Sequence, residues 1–252
     1  MTKLSTKILL FVLLSTAILT VGGCENSTRL MEITETDVVE TLPHKHVFTE
    51  GLFFNDGALY ESAGRIGESE ILRYGADYRK AFDDVFLEGS VIYNNDLYLL
   101  TWQDHTAYVL DADTFEIKKE CTYDREGWGL TTDGDYLIAS DGTDCIYYMD
   151  SDYNVVRILK VQEEGKPVTE INELEYIEGH IFGNIWHTND IVCIDPKTGE
   201  VEARYAVKLE SKSADQNVLN GIAWDGEYVY LTGKYYDEIW KVEPDKFLSA
   251  LK

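Results

Sequence analysis

Short apolar runs recur along the chain with the same punctuation, and none of them keeps a helical period. Five copies of one hairpin can be read between Thr49 and Pro244. Each begins with Gly or Asn beside an apolar pair: Glu50-Gly51-Leu52, Glu88-Gly89-Ser90-Val91, Gly127-Trp128-Gly129-Leu130, Asn172-Glu173-Leu174 and Asn220-Gly221-Ile222. A turn follows, made of Asn55-Asp56-Gly57, Asn94-Asn95-Asp96, Asp133-Gly134-Asp135, Glu178-Gly179-His180 or Asp225-Gly226-Glu227, residues that tolerate positive φ and close hairpins. A second strand runs back, and a third ends on an acid, as at Asp111, Asp150, Asp195 and Glu243. Equivalent second strands lie about 38 to 48 residues apart, the period of a propeller blade. The pattern predicts an all-β, five-bladed β-propeller. Strand material gives out after Pro244, whereas Asp37 to Leu42 alternates ahead of the first copy. An N-terminal strand is therefore expected to close the final blade and remove an exposed edge.

In a hairpin, the start of the first strand and the end of the second lie together, opposite the turn. Repetition around an axis gathers Thr49, Glu50, Glu88, Trp128, Asn172 and Asn220 with Glu61, Trp102, Asp141, Trp186 and Lys234 at one mouth. Taken singly, a Trp near such an axis packs between blades and an acid at a strand end binds water or backbone amides. Their convergence is what points to a small-ligand site, with apolar walls and a few fixed polar groups. Glu88, between Leu87 and Gly89, is the strongest candidate, because burial there raises a carboxyl pKa towards neutrality and makes it a proton carrier.

Charge narrows the function classes. Lys plus Arg number 22 against 46 Asp plus Glu, a formal charge of -24, which argues against sequence-independent nucleic-acid binding and against docking on anionic lipid. With 44% hydrophobic residues the chain has a core to bury, so general disorder is excluded. At the N-terminus, Lys3 and Lys7 precede an uncharged run from Ile8 to Val21, too short for a spanning helix of about 20 residues. Val21-Gly22-Gly23-Cys24 resembles a bacterial lipobox. Residues 1–23 are thus expected to be a lipoprotein signal, Cys24 to carry lipid, residues 24–36 to form a polar tether, and 37–252 to form the propeller, held outside the cytoplasm on a bacterial membrane.

Cys121, Cys145 and Cys193 form no CxxC pair and read as buried apolar residues. His44 and His46 point one way from a strand but have no third ligand nearby, so no metal or other cofactor is expected. Asp133-Gly134-Asp135 and Asp141-Gly142-Thr143-Asp144 lack a calcium loop's spacing and read as turns.

Phe48-Thr49-Glu50-Gly51-Leu52, Glu61-Ser62-Ala63-Gly64, Glu88-Gly89, Leu100-Thr101-Trp102, Glu126-Gly127-Trp128-Gly129-Leu130-Thr131, Ser140-Asp141-Gly142-Thr143, Asn172-Glu173-Leu174-Glu175-Tyr176, Asn184-Ile185-Trp186, Leu219-Asn220-Gly221-Ile222-Ala223 and Thr232-Gly233-Lys234, in that order, closely resemble the plant-type (papaya-type) glutaminyl-peptide cyclotransferases. The resemblance runs from about Val38 to Val242. It implies a five-bladed propeller that converts the N-terminal Gln of peptides or proteins to pyroglutamate with release of ammonia, without a metal. It also implies Glu88 as catalytic acid in a pocket of Phe48, Trp102, Trp128, Asn172, Trp186 and Lys234. Asn172 and Lys234 are then expected to donate to the tetrahedral oxygen or the side-chain amide, while the Trp rings and Phe48 hold the substrate.

Two positions depart from that family. Glu50 stands where Gln is usual, and Tyr235-Tyr236-Asp237 where a Trp-Pro pair is usual. Glu50 has three open roles: holding the substrate amine in its unreactive protonated form, gripping the ammonium during binding, or sharing a proton with Glu88. The alternative function is a noncatalytic propeller that binds peptide N-termini or sugars at its Trp-lined mouth.

Overall fold

The computed structural model describes residues 27–45, 47–76, 78–211 and 218–251; the expected signal segment, Cys24 and His46 lie outside them. Five sheets, antiparallel apart from one added edge strand, make the blades. The first blade comprises Thr49–Asn55, Ala58–Ala63, Glu70–Arg73 and Tyr78–Ala81; the second Leu87–Tyr93, Asp96–Thr101, Thr106–Asp111 and Ile117–Thr122. The third comprises Leu130–Thr132, Leu137–Ser140, Cys145–Met149 and Val155–Lys160; the fourth Ile171–Ile177, His180–Ile185, Asp190–Ile194 and Val201–Val207. The fifth takes Val218–Trp224, Val229–Lys234 and Glu238–Val242, and its outermost strand is Val38–Pro43, paired antiparallel from Val38 opposite Val242 to Pro43 opposite Glu238. The inner strands pack against one another in a cycle, the fifth against the first, so the ring is closed. Both the five-fold repeat and its N-terminal closure are therefore as the sequence predicts.

Local chemistry explains the blades. Asp56 and Gly57, Asn94 and Asn95, and Glu178 and Gly179 all have positive φ, which gives hairpin turns whose twist matches the strands. The other two turns are closed by an acid, Asp133 Oδ1 accepting from the Asp135 and Tyr136 amides and Asp225 Oδ1 from those of Glu227 and Tyr228. Asp111, Asp150 and Asp195, at the ends of third strands, cap the next turn in the same way. Inner strands are buried almost throughout, outer ones largely exposed. Apolar side chains fill the spaces between blades. Cys121, Cys145 and Cys193 are buried and unpaired.

Part of the segment expected to be a tether is a strand. Arg29–Ile33 pairs in parallel with Val201–Val207 as a fifth strand of the fourth blade. Ile33 is fully buried in the core there, and that gain, added to the backbone bonds, outweighs the polar composition around it. Thr34 then starts a turn, its amide donating to Asp37 Oδ2 at 2.8 Å.

His44, just past the closing strand, is a structural residue. Its Nδ1 lies 2.6 Å from the Tyr236 carbonyl and its Nε2 2.8 Å from Glu61 Oε1, so both ring nitrogens face acceptors and the ring is arranged as an imidazolium. Glu61 also accepts from Thr49 Oγ1 at 2.7 Å and Tyr74 OH at 2.6 Å. Burial opposes charge on both partners. The Glu61 charge and its hydrogen bond nevertheless hold His44 above its usual pKa, and His44, Tyr74 and Thr49 hold Glu61 below its own. The stabilisation from His44 is complete below about pH 6.5 and is lost as pH rises through the raised value; that from Glu61 is complete above about pH 4.5 and is lost as pH falls through the lowered one. His44→Ala should cost about 3–5 kcal/mol in urea unfolding by stranding a buried carboxylate. The native protein's urea midpoint should decline on the alkaline side, and a flat profile in both proteins would remove the pair from the closure.

Candidate active site

The starts of the inner strands approach so closely at one mouth that side chains are excluded beside the site residues. A Cβ on Gly89 would lie 2.4 Å from the Leu130 amide nitrogen, and one on Gly129 would lie 2.1 Å from the Asn172 carbonyl oxygen. Glycine there lets the preceding residues, Glu88 and Trp128, sit shoulder to shoulder on neighbouring blades. Backbone bonds lock the join: the Gly89 amide donates to the Trp128 carbonyl at 2.7 Å, and Ser140 Oγ donates to that of Asn172 at 2.7 Å.

A charged cluster forms at this collar. Lys234, ending the second strand of the fifth blade, donates to both Glu50 oxygens at 2.7 and 2.6 Å. Asn220 Nδ2 adds bonds to Glu50 Oε2 at 3.2 Å and to the Thr49 carbonyl at 2.9 Å. Glu88, only 6% exposed, shares a hydrogen bond with Glu50. Burial pushes the Glu88 carboxyl well above the usual range and the Glu50 charge pushes it further, with Lys234 opposing. Burial raises Glu50 as well, by more than Lys234 and the bond with Glu88 lower it, but less far than Glu88. Because Lys234 clasps Glu50, the proton the two carboxyls share belongs on Glu88.

Aromatic rings wall the cluster. The Lys234 Nζ lies 4.5 Å from the centroid of Phe48, which packs on Phe86 at 6.0 Å and Tyr235 at 5.3 Å. Phe86 in turn meets Trp102 at 5.6 Å. Trp128 and Trp186 meet edge to face at 5.3 Å, and Trp186 stacks on His187 at 3.9 Å. Trp128 needs Gly142, where a Cβ would fall 2.6 Å from its ring. Asn172 is buried, and its Oδ1 accepts no hydrogen bond among the described residues. A cleft of about 370 Å³, lined by Phe48, Gly64, Glu68, Ser69 and Tyr235 among others, adjoins this wall.

Phe48, Glu50, Glu88, Lys234 and Phe86 thus form one connected group, with Trp102 joined through Phe86 and Trp128 with Trp186 forming the other wall. Three residues of the predicted gathering turn their side chains elsewhere. Glu61 turns to His44, the Thr49 hydroxyl to Glu61, and Asp141 bonds Thr143 and the Tyr147 hydroxyl at 2.8 Å. Glu126 and Phe86 were missed; both lie on connections whose path the hairpin period does not fix, although Glu126 stands two residues before Trp128. Among the described residues no group of three or more His, Cys, Asp or Glu side chains is placed to hold a metal ion.

A closed propeller with two carboxyls and a lysine buried beneath an aromatic cup is a scaffold for proton transfer on a small group. Comparison with known proteins narrows this. A profile of the glutamine cyclotransferase family matches residues 10–243, and the chain belongs to that family. It is 31% identical over 234 residues to the glutaminyl-peptide cyclotransferase of Arabidopsis thaliana, covering 84% of this chain and 72% of the relative. The crystal structure of Myxococcus xanthus glutaminyl cyclase superposes with a TM-score of 0.77 at 27% identity, covering 86% of this chain and 98% of that one. A virginiamycin B lyase from Staphylococcus aureus, with a TM-score of 0.50 and 15% identity over 80% of this chain and 68% of that one, shares the fold alone.

Removing the Glu50 charge lowers the pKa of Glu88, since a neighbouring negative charge favours the protonated form. In Glu50→Gln, the limb of the pH-rate profile that titrates Glu88 should therefore move to lower pH. A limb left in place would show that the two carboxyls do not share a proton.

Proposed function

We propose that this protein is a glutaminyl-peptide cyclotransferase that turns the N-terminal Gln of peptides or proteins into pyroglutamate and releases ammonia, using protein groups without a metal. The observation that carries the reading is a buried, proton-bearing Glu88 beside a Lys-clasped carboxylate and under an aromatic cup. The substrate supplies its own nucleophile, the α-amine, and its own electrophile, the γ-carboxamide carbon five atoms round the ring. The free α-amine attacks while Glu88 is protonated, and as the old C–N bond breaks Glu88 delivers its proton to the leaving nitrogen, which departs as ammonia. The carboxylate so formed takes the proton that the attacking nitrogen sheds as the new C–N bond is completed, and the carboxyl returns to its protonated starting state.

Proton transfer of this kind is worth about 10²–10⁴-fold and each well-placed oxyanion donor about 10²–10³-fold. Lys234 has one N–H beyond the two given to Glu50, and that donor suits the tetrahedral oxygen. Asn172 is buried, and its side-chain N–H suits donation to the tetrahedral oxygen or the side-chain amide. Trp102, Trp128, Trp186 and Phe48 hold the Gln side chain and exclude water. Family membership favours this reading, and no observation favours the noncatalytic alternative.

Purified protein incubated with a Gln-initiated dipeptide should release ammonia and continue to do so with a chelator present. Glu88→Gln, which keeps the shape and loses the proton carrier, should lower the rate by about 10²–10⁴-fold while the thermal midpoint stays within about 4 °C. Near-native turnover in that variant would end the assignment.

The reading includes export and lipid attachment at Cys24, motivated by the apolar run and the lipobox-like Val21-Gly22-Gly23-Cys24. Cys24→Ser should move the protein from the membrane fraction to the soluble fraction of a bacterial expression host. Equal partition of the two forms would discard the anchor.

A further inference from the structure

One carboxylate outside the charged cluster ties two walls of the cup together. Glu126 Oε2 accepts from Trp102 Nε1 at 2.8 Å and from Trp128 Nε1 at 3.1 Å, while Oε1 accepts from Gln103 Nε2 at 2.8 Å. Trp102 follows the second strand of the second blade and Trp128 precedes the inner strand of the third, so the bond crosses between blades. An indole has a single polar handle, its N–H donor. Trp102 is 37% exposed, and its side chain is held by an edge contact with Phe86 and by this one N–H bond to a carboxylate oxygen. Two indoles on one oxygen fix both ring planes and the gap between them.

We propose that Glu126 is a positioning residue for the cyclisation: it pre-orients Trp102 and Trp128 as the substrate's walls and sets part of the field in which Glu88 works. This rests on the function proposed above. Fixing the rings in advance removes an ordering cost from binding, so its loss falls on substrate affinity more than on the chemical step. Burial raises the Glu126 carboxyl, but the hydrogen bonds from Gln103, Trp128 and Trp102 outweigh it, with His105 adding a little, and the group stays ionised. Its charge joins that of Glu50 in raising Glu88, against Lys234.

Glu126→Gln keeps the length but offers one acceptor oxygen and an NH₂ that repels an indole N–H. The Michaelis constant for a Gln-initiated dipeptide should rise about tenfold with kcat within about threefold, and the limb that titrates Glu88 should shift to lower pH. Glu126→Asp, charged but too short to reach both rings, should return the limb to its native position and leave KM raised. In a double-mutant cycle, Glu126→Gln should cost less on a Trp102→Phe background, which already lacks that N–H. Native KM and an unmoved limb in Glu126→Gln, or strict additivity in the cycle, overturns the proposal. If Glu126→Gln does not fold, Glu126→Asp alone decides: native KM overturns the proposal. Should the native protein release no ammonia, the function fails separately. The positioning role is then read from near-ultraviolet circular dichroism of the indoles, which must change in Glu126→Gln for the role to stand.

Discussion

The close approach of five inner strands around one axis is the constraint on which everything else rests. Such strands leave a row of backbone N–H groups facing the channel, where water is scarce and an unmade bond costs about 1–3 kcal/mol. Two buried acids of the fourth blade meet that demand. Glu173 takes the Leu52 amide of the first blade at 3.2 Å and the Ile222 amide of the fifth at 2.8 Å. Glu175 takes the Trp224 amide of the fifth at 3.0 Å and Thr131 Oγ1 of the third at 3.2 Å. Burial drives Glu173 well above the usual carboxylate range and Glu175 to about 8, with these hydrogen bonds opposing. The fourth blade is thereby bonded to three others through side chains as well as by packing, and the mouth above inherits that rigidity.

Glu50 alters the logic of the mouth. A neutral amide in its place would leave Lys234 with a full positive charge and more of its donors unclaimed. Here two of the three N–H groups are spent on the carboxylate, so the lysine acts less as a general anion binder and more as the clamp that keeps Glu50 ionised. That in turn keeps the shared proton on Glu88, the residue whose neighbour at Gly89 permits close contact with the next blade. Of the three roles left open for Glu50 in the sequence, its bond with Glu88 favours proton sharing, and the lysine already in place disfavours gripping of the ammonium.

Blades and turns were legible because their causes are local. Positive φ at Gly57 or Asn95, and an acid such as Asp225 folding back on its own turn, are written in consecutive residues, and alternation of apolar positions follows from the pleat. The gathering of Glu50, Glu88 and Lys234 was legible because hairpin repetition decides which strand ends share a face. It does not decide which way a side chain turns, and Glu61 and Asp141 show the difference: each is satisfied by partners away from the cup. The strand Arg29–Ile33 was hidden because its stability comes from an edge offered by Val201–Val207, some 170 residues on. His44 was hidden likewise, since its acceptors, Glu61 and the Tyr236 carbonyl, are remote in sequence. Nothing in the spacing of two histidines announces a buried ion pair.

The charge state of the site fits the proton inventory of the proposed reaction. An N-terminal ammonium enters and ammonium finally leaves, so the enzyme needs to hold one movable proton and return it. With Glu50 ionised, Lys234 charged and Glu88 protonated, the cluster is neutral and matches a neutral amine; with Glu88 ionised it carries one negative charge and matches an ammonium. Transfer of a single proton between substrate and Glu88 interconverts the two without changing the total charge sealed beneath the rings. A buried site can tolerate that exchange because no uncompensated charge has to be created in a place where hydration is poor. In the proposed reaction the same argument explains why a raised Glu88 suits the task better than one at an ordinary carboxylate value: a carboxyl that ionised too readily could take the proton from the attacking nitrogen but would hold none to give to the leaving one.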